Sequence, residues 1–449
     1  MSKFFRISMV LLVCTALATP ALALQADFKG FLQVRGFTYD NLDGNDDADD
    51  NASGFDQRFR LWTNAALNED VKAVFGIEVD NAWGDTGVGR VGADATGQIE
   101  IKHLHLDFNV PWAATNVKAG AQYFRFGGGF IQGDDASGIQ VRYTPVPNQH
   151  SILFGWVKAN EGDVFDQSAE SDYFHLQYDA GLGGWKLSPF IGYLDGRPTG
   201  LGLNSPARIG TGTATAPQFP AINEFSTDFN AYYVGLEGSG KIGAVAVAFT
   251  AMVNQWDNDV AIALPGVTAD DGMGLALWAK GTYALGSTLL SAEAAYYGDD
   301  EAGQFIGVRG YNNFSEMVTG GRFDTRSTMG GNTTATLDRN GNVINASYYM
   351  NYMYAKLGAE HKINDKHKVS AFYVYTKEAE DTFNRDAITF GHELDAYYDY
   401  AITKGLTFSA GGGYLLADDD FVRDDPTTPA VSVGGDNAWK VGTALTYQF

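Results

Sequence analysis

Apolar and polar residues alternate one for one at the end of the chain. Trp439, Val441, Thr443, Leu445, Tyr447 and Phe449 interleave with Ala438, Lys440, Gly442, Ala444, Thr446 and Gln448. A period of two marks a strand with one face in an apolar medium and the other in a polar one. The alternation recurs upstream near Phe28–Tyr39, Phe55–Leu67, Val71–Trp83, Gln98–Asn109, Asn116–Phe126 and Gly138–Thr144. It continues near Ser151–Lys158, Asp172–Asp179, Trp185–Leu194, Phe229–Glu237, Ile242–Asn254 and Gly272–Tyr283. The rest lie near Ser287–Tyr297, Tyr348–Glu360, His367–Thr376, His392–Ala401, Leu406–Leu416 and Asn437–Phe449. The pattern predicts an all-β chain: a transmembrane antiparallel β-barrel of about 18 strands, or 16 if one hairpin is misread.

The connections between these stretches alternate in length. Short ones fall at Asn68-Glu69-Asp70, Ala180–Gly184, Gly238-Ser239-Gly240, Ala284–Gly286, Asn364-Asp365-Lys366 and Thr403–Gly405, rich in the residues that make hairpin turns. Long ones fall near Asp40–Gly54, Gly84–Gly97, Gly127–Ser137, Ala159–Ser171, Asp195–Asp228 and Gln255–Asp271. Three more fall near Gly298–Ser347, Lys377–Gly391 and Ala417–Asp436. Short periplasmic turns opposite long extracellular loops are the expectation for an outer-membrane barrel, whereas a soluble sandwich or propeller gives no reason for this alternation.

The period also assigns faces. Phe59, Leu61, Thr63 and Ala65 turn to lipid, which leaves Arg58, Arg60, Trp62 and Asn64 inside. The same reasoning puts Gln33, Arg35, Glu78, Asp80, Gln140, Arg142, Tyr173, His175 and Gln177 inside. An Arg or Lys on the lipid face at mid-depth costs about 2–4 kcal/mol, so these charges require a wet interior. The candidate pore-lining residues are Arg35, Arg58, Arg60, Lys118 and Arg142 from the first third, and Glu293, Glu393, Asp395 and Asp399 from the last. Opposed rows of this kind would set a transverse field. Cross-strand ion pairing is the alternative arrangement of the same charges.

Composition agrees with strands: 54 Gly, 29 Phe and 23 Tyr accompany only 12 Pro. The chain carries 31 basic and 54 acidic residues, a net charge of −23, which excludes nucleic acid as a partner because that requires a basic face. Acid crowds the first loop (Asp40, Asp43, Asp46, Asp47, Asp49, Asp50) and the last (Asp418, Asp419, Asp420, Asp424, Asp425). Such mouths concentrate cations. At the start, Lys3 and Arg6 precede an apolar run from Ile7 to Ala18, then Pro20 and Ala21-Leu22-Ala23. This predicts a cleaved signal peptide over 1–23 and a single barrel domain over 24–449, exported through the periplasm of a Gram-negative cell. The only cysteine, Cys14, falls in that signal, so the mature chain has no disulfide or thiolate chemistry.

Enzyme motifs are missing: no Gly-x-Ser-x-Gly, no His-Glu-x-x-His and no phosphate loop. The row His103, His105, Asp107 on one strand face has too few ligands to hold a metal alone, and lumen lining is the favoured reading. Asp338-x-Asn340-Gly341-Asn342 lacks the spacing and distal Glu of a calcium loop. The sequence therefore predicts no catalytic residue, no metal and no cofactor.

The final aromatic alternation resembles the C-terminal signature of bacterial outer-membrane proteins, which implies that the barrel-assembly machinery reads Tyr447 and Phe449. Gly391-His392-Glu393-Leu394-Asp395, Tyr397–Tyr400, Thr403-Lys404-Gly405-Leu406, Ser409–Tyr414 and Tyr447-Gln448-Phe449 look like the ending of alginate-export-type outer-membrane porins. Ala119-Gly120-Ala121-Gln122 with Gly127-Gly128-Gly129 resembles another segment of that group, although Ala121 stands where the group commonly has Arg. The resemblance implies an 18-stranded solute-conducting barrel embedded in outer-membrane lipid. It does not imply alginate, since a polyanion conduit needs a densely basic lumen. The expected function is passive diffusion of small hydrophilic solutes or ions, leaning to cations, with a homotrimer among the assemblies the class allows. Alternatives are a sheath around a partner, an adhesin displaying acidic loops, or a substrate-specific exporter or uptake channel.

Overall fold

A computed structural model describes residues 25–42, 51–84, 99–147, 149–160, 171–196, 229–264, 267–299, 305–308, 313–323, 336–337, 343–344, 349–350, 352–380, 387, 389–419, 421–424 and 432–449. The predicted signal, most of the acidic loop residues and the calcium-like run lie outside them.

Eighteen strands form one sheet. They are β1 (Gln25–Asp40), β2 (Ala52–Ala66), β3 (Val71–Ala82), β4 (Glu100–Val110), β5 (Thr115–Tyr123), β6 (Asp135–Val146), β7 (His150–Asn160), β8 (Ser171–Leu182) and β9 (Trp185–Gly196). Then come β10 (Phe229–Ile242), β11 (Val245–Leu264), β12 (Val267–Leu285), β13 (Thr288–Asp299), β14 (Tyr352–Lys362), β15 (His367–Lys377), β16 (Thr389–Thr403), β17 (Leu406–Ala417) and β18 (Ala438–Gln448). Each pairs antiparallel with the next. β18 closes the sheet on β1 from Phe31↔Gln448 to Asp40↔Trp439, so no edge is left open. Gly30 and Phe449 exchange backbone hydrogen bonds at 3.0 and 3.1 Å, which extends the closure to the last residue.

The alternation sets the two faces as the sequence predicts. Leu32, Phe75, Phe154, Leu176, Leu277, Leu394 and Leu445 are exposed on the outside. A contiguous apolar belt of this kind suits lipid, not water. No helix among the described residues is long and apolar enough to cross a membrane.

Three predicted boundaries move, each for a physical reason. The expected turn at Gly238-Ser239-Gly240 is strand: β10 runs to Ile242 and the chain turns at Gly243, whose φ is +61°. Gly238 and Gly240 are there to receive aromatic rings. A Cβ at Gly238 would sit 2.2 Å from the Phe249 ring, and one at Gly240 would sit 2.4 Å from the Trp185 ring. The expected loop Gln255–Asp271 is largely a continuation of β11 and β12, which pair as far as Leu264↔Val267 across a register shift between Asp257 and Ile262. The strand expected to reach Phe126 ends at Tyr123, because Phe124 and Phe126 leave the sheet and bury their rings completely inside the barrel.

Candidate functional site: the barrel interior and two inward segments

The inner wall of β1–β6 is a ladder of cross-strand ion pairs. Register places Arg35 opposite Asp56, Arg58 opposite Asp80, and Arg60 opposite Glu78. Arg35 meets Asp56 with two bonds, Nε at 2.7 Å and Nη2 at 2.6 Å. Arg58 Nη2 reaches Asp80 at 2.7 Å, and Arg60 bonds Glu78. Lys72 pairs with Asp107 at 3.1 Å. Lys118 lies opposite Asp107 and Gln140 in the register of its two neighbours. Opposite charges directly across a strand pair stabilise it, so these charges are arranged as local cross-strand pairs.

β4 departs from regular pairing. Gly76 faces His103 while Ile77 faces Ile101, so Lys102 is a bulged residue. The bulge brings both Lys102 and His103 to Asp135, at 3.0 and 3.1 Å. His105 Nδ1 lies 3.1 Å from the Ala121 carbonyl, and Asn116 donates to Asp107 at 2.7 Å. Each member of the His103-His105-Asp107 row thus has a partner of its own, and no metal-binding cluster occurs among the described residues.

β8 carries a continuous polar row on its inner face. Tyr173 donates its hydroxyl to His175 Nδ1 at 3.0 Å, His175 Nε2–H faces Gln177 Oε1 at 3.3 Å, and Gln177 donates to Asp179 at 2.7 Å. Arg142 and Ser188 also donate to Asp179, at 2.6 and 2.7 Å. The row exists because residues two apart share one face of a strand. It satisfies groups that would otherwise be orphaned under the inward segment covering them.

The first inward segment is 124–134. Gly127, Gly128 and Gly129 have φ of +56°, +69° and +94°, a tight run that glycine tolerates without strain. The Gly128 amide donates to Glu237 at 2.8 Å, and Arg125 holds the Gly128 carbonyl at 2.7 Å. Phe126 stacks on His175 with centroids 4.3 Å apart, and Phe130 packs on Tyr297 at 5.2 Å. The second segment comprises 305–308 and 313–323. Val308 donates its amide to the Ile131 carbonyl at 2.8 Å, which joins the two segments inside the barrel.

The acidic candidates of the last third meet this second segment or neighbouring strands. Glu293 accepts from Tyr354 at 2.7 Å, Trp278 at 3.0 Å and Lys280 at 3.0 Å. Asp399 accepts from Ser409 at 2.6 Å, Arg322 at 2.7 Å and Lys368 at 3.2 Å. Glu393 and Asp395 are covered, at 1% and 3% exposure, and Glu393 is occupied by backbone amides of the segment. The long loops are candidates for partial closure of the lumen, but the sequence does not show that one of them covers Glu393 and Asp395. A signal of inward folding was present: Phe130, Phe314, Met317 and Phe323 are apolar residues in stretches between predicted strands, where a water-bound loop has no use for them.

No protein-family model matches the chain, and no curated protein matches it by sequence. Solved structures do match in three dimensions. Acinetobacter baumannii OccAB1 aligns over 96% of this chain and 100% of its own, with a TM-score of 0.55 at 11% identity. Pseudomonas aeruginosa OccK8 (OprE) aligns over 94% and 98%, with a TM-score of 0.53 at 12% identity. The chain has the fold of the outer-membrane porins. The P. aeruginosa outer membrane protein OpdK aligns over 94% and 98%, with a TM-score of 0.51 at 11% identity. At these identities the likeness is one of fold. The alginate-export-type likeness of the C-terminal third finds no support in these matches.

Proposed function

We propose that the protein is an integral outer-membrane channel for passive diffusion of small hydrophilic solutes or ions. The observation that carries this reading is a closed 18-stranded sheet with an apolar exterior and an interior lined with charge. A barrel of this width cannot be filled by its own side chains, so its polar interior holds water unless segments fold into it. The short turns and the β1 and β18 ends face the periplasm, and Tyr447 and Phe449 serve as the assembly signal. Conduction needs size exclusion and charge bias, not catalysis.

In this reading Arg58, Arg60, Lys118, Arg142, Glu293 and Asp399 border the solute path, while Arg35 is buried in its ion pair with Asp56. Glu393 and Asp395 lie beneath the segment 313–323 and do not meet solute while it is seated. The paired wall charges leave the acidic outer loops as the source of any cation preference.

Planar-bilayer recording of the refolded protein under a potassium chloride gradient tests the reading. Steady steps with a cation-leaning reversal potential are expected from an open lumen. Folded protein that conducts in no form, including one relieved of the segment 313–323, would overturn it.

A further inference from the structure

Both inward segments bury apolar side chains, and they differ in what holds their backbones. The segment 124–134 is seated by rings: Phe124, Phe126 and Ile131 are fully buried among Tyr173, Leu153 and Leu194. Withdrawing it would strip a hydrophobic core and leave the Tyr173–His175 row uncovered. The segment 313–323 also buries apolar side chains, Phe314, Met317, Val318 and Phe323, but here charged side chains of the wall reach its backbone as well. Glu393 Oε1 accepts the amides of Glu316 and Met317 at 2.7 Å each, and Oε2 accepts that of Val318 at 3.3 Å. Lys356 donates to the Phe314 carbonyl at 2.5 Å, and Lys440 donates to the Glu316 carbonyl at 3.1 Å. These three side chains come from β16, β14 and β18, so the seat spans the wall of this sector.

The turn is braced independently of the wall. Ser315 Oγ accepts the amides of Val318 and Thr319 at 3.0 and 3.2 Å, and Thr319 Oγ1 accepts those of Phe314 and Ser315 at 3.1 Å each. The wall is hollowed to receive it. A Cβ at Gly413 would lie 3.0 Å from that of Glu316, and one at Gly442 would lie 2.4 Å from that of Phe323. Phe314 stacks on Tyr354 at 3.8 Å and 10°, which sets its orientation. Glu393, Lys356 and Lys440 are groups that water satisfies as well as the segment does, so undocking leaves no orphaned partner in the wall. A preshaped turn whose backbone is held by solvatable charges can leave its seat without stranding a buried charge, at the cost of uncovering its four apolar side chains.

We propose that 313–323 is a tethered blocker, seated in a receptor on β14–β18 of which Glu393 is the key residue, and that its release widens the lumen. This rests on the channel reading. The experiment compares bilayer conductance of the wild type, a variant with 313–323 replaced by a Gly-Ser stretch of equal length, Glu393→Ala, and the combination. Folding of each is checked by heat-modifiable gel mobility.

The Gly-Ser variant should conduct more than the wild type. Glu393→Ala should raise the open fraction by roughly tenfold, the effect of losing charge-assisted hydrogen bonds. A synthetic peptide with the sequence of 313–323 should reduce the Gly-Ser variant's current and lose that effect when Glu393→Ala is also present. Unchanged conductance in the Gly-Ser variant would overturn the proposal, as would block by the peptide that is indifferent to Glu393. Silence in every folded form would instead remove the channel reading beneath it.

Discussion

Single residues in this barrel are defined by what lies across the neighbouring strand. Glu78 has a side chain only 4% exposed, bonds Arg60, and has Arg58 and Lys102 within 3.9 Å. Replacing it by Gln leaves those cations under-compensated, so Glu78→Gln should move the reversal potential toward anions. An unchanged value would place Glu78 off the conduction path. Gly128 shows the other kind of residue constraint. With φ at +69° and a Cβ position 2.5 Å from Thr250 Oγ1, it has both a backbone and a space reason to be glycine. Gly128→Ala should cost about 1–2 kcal/mol from the left-handed backbone alone, read as a lower urea midpoint for unfolding from detergent.

Elements depend on closure and on cover. β18 is held by β17 on one side and β1 on the other, and its pairing with β1 is what removes the last open edge. Deleting Thr446–Phe449 removes the pairs at Gln33, Leu32 and Phe31, so the folded, heat-modifiable band should be lost. A normal yield of that band would show that closure tolerates a shortened last strand. In the segment 124–134, Phe126 is fully buried against His175 and Tyr173. Phe126→Ala should destabilise the barrel by about 3–5 kcal/mol, the usual range for emptying such a site. The strands around these elements were legible because alternation follows from the sheet itself. The inward course of 124–134 was not, because a loop has no period and its ring contacts come from β8, β12 and β13, distant in the chain.

At the scale of the molecule, charge is divided by location. The inner wall pairs its ions strand by strand, while the chain as a whole is at −23 with acid crowded in the first and last loops. Selectivity from loop charges acts through solution and is screened. Cation preference should therefore fade between 0.1 M salt, where the Debye length is about 10 Å, and 1 M, where it is about 3 Å. A preference that survives at 1 M would have to come from the wall instead.

The sequence by itself determined the strands, the closed sheet and which side chains turn inward, because each follows from a period of two and from the cost of charge in lipid. Glu393, Asp395 and Asp399 share one face of β16, and His103 and His105 share one face of β4, as residues two apart on a strand do. What those inner residues do was decided only by tertiary structure. Glu393 holds amides of Glu316, Met317 and Val318, and Asp399 takes Arg322, contacts separated by some three-quarters of a hundred residues in the chain. Alternation reports the medium a side chain faces. It carries no information about which remote segment folds into that medium, and here a folded-in segment separates a solvated lumen charge from a buried anchor.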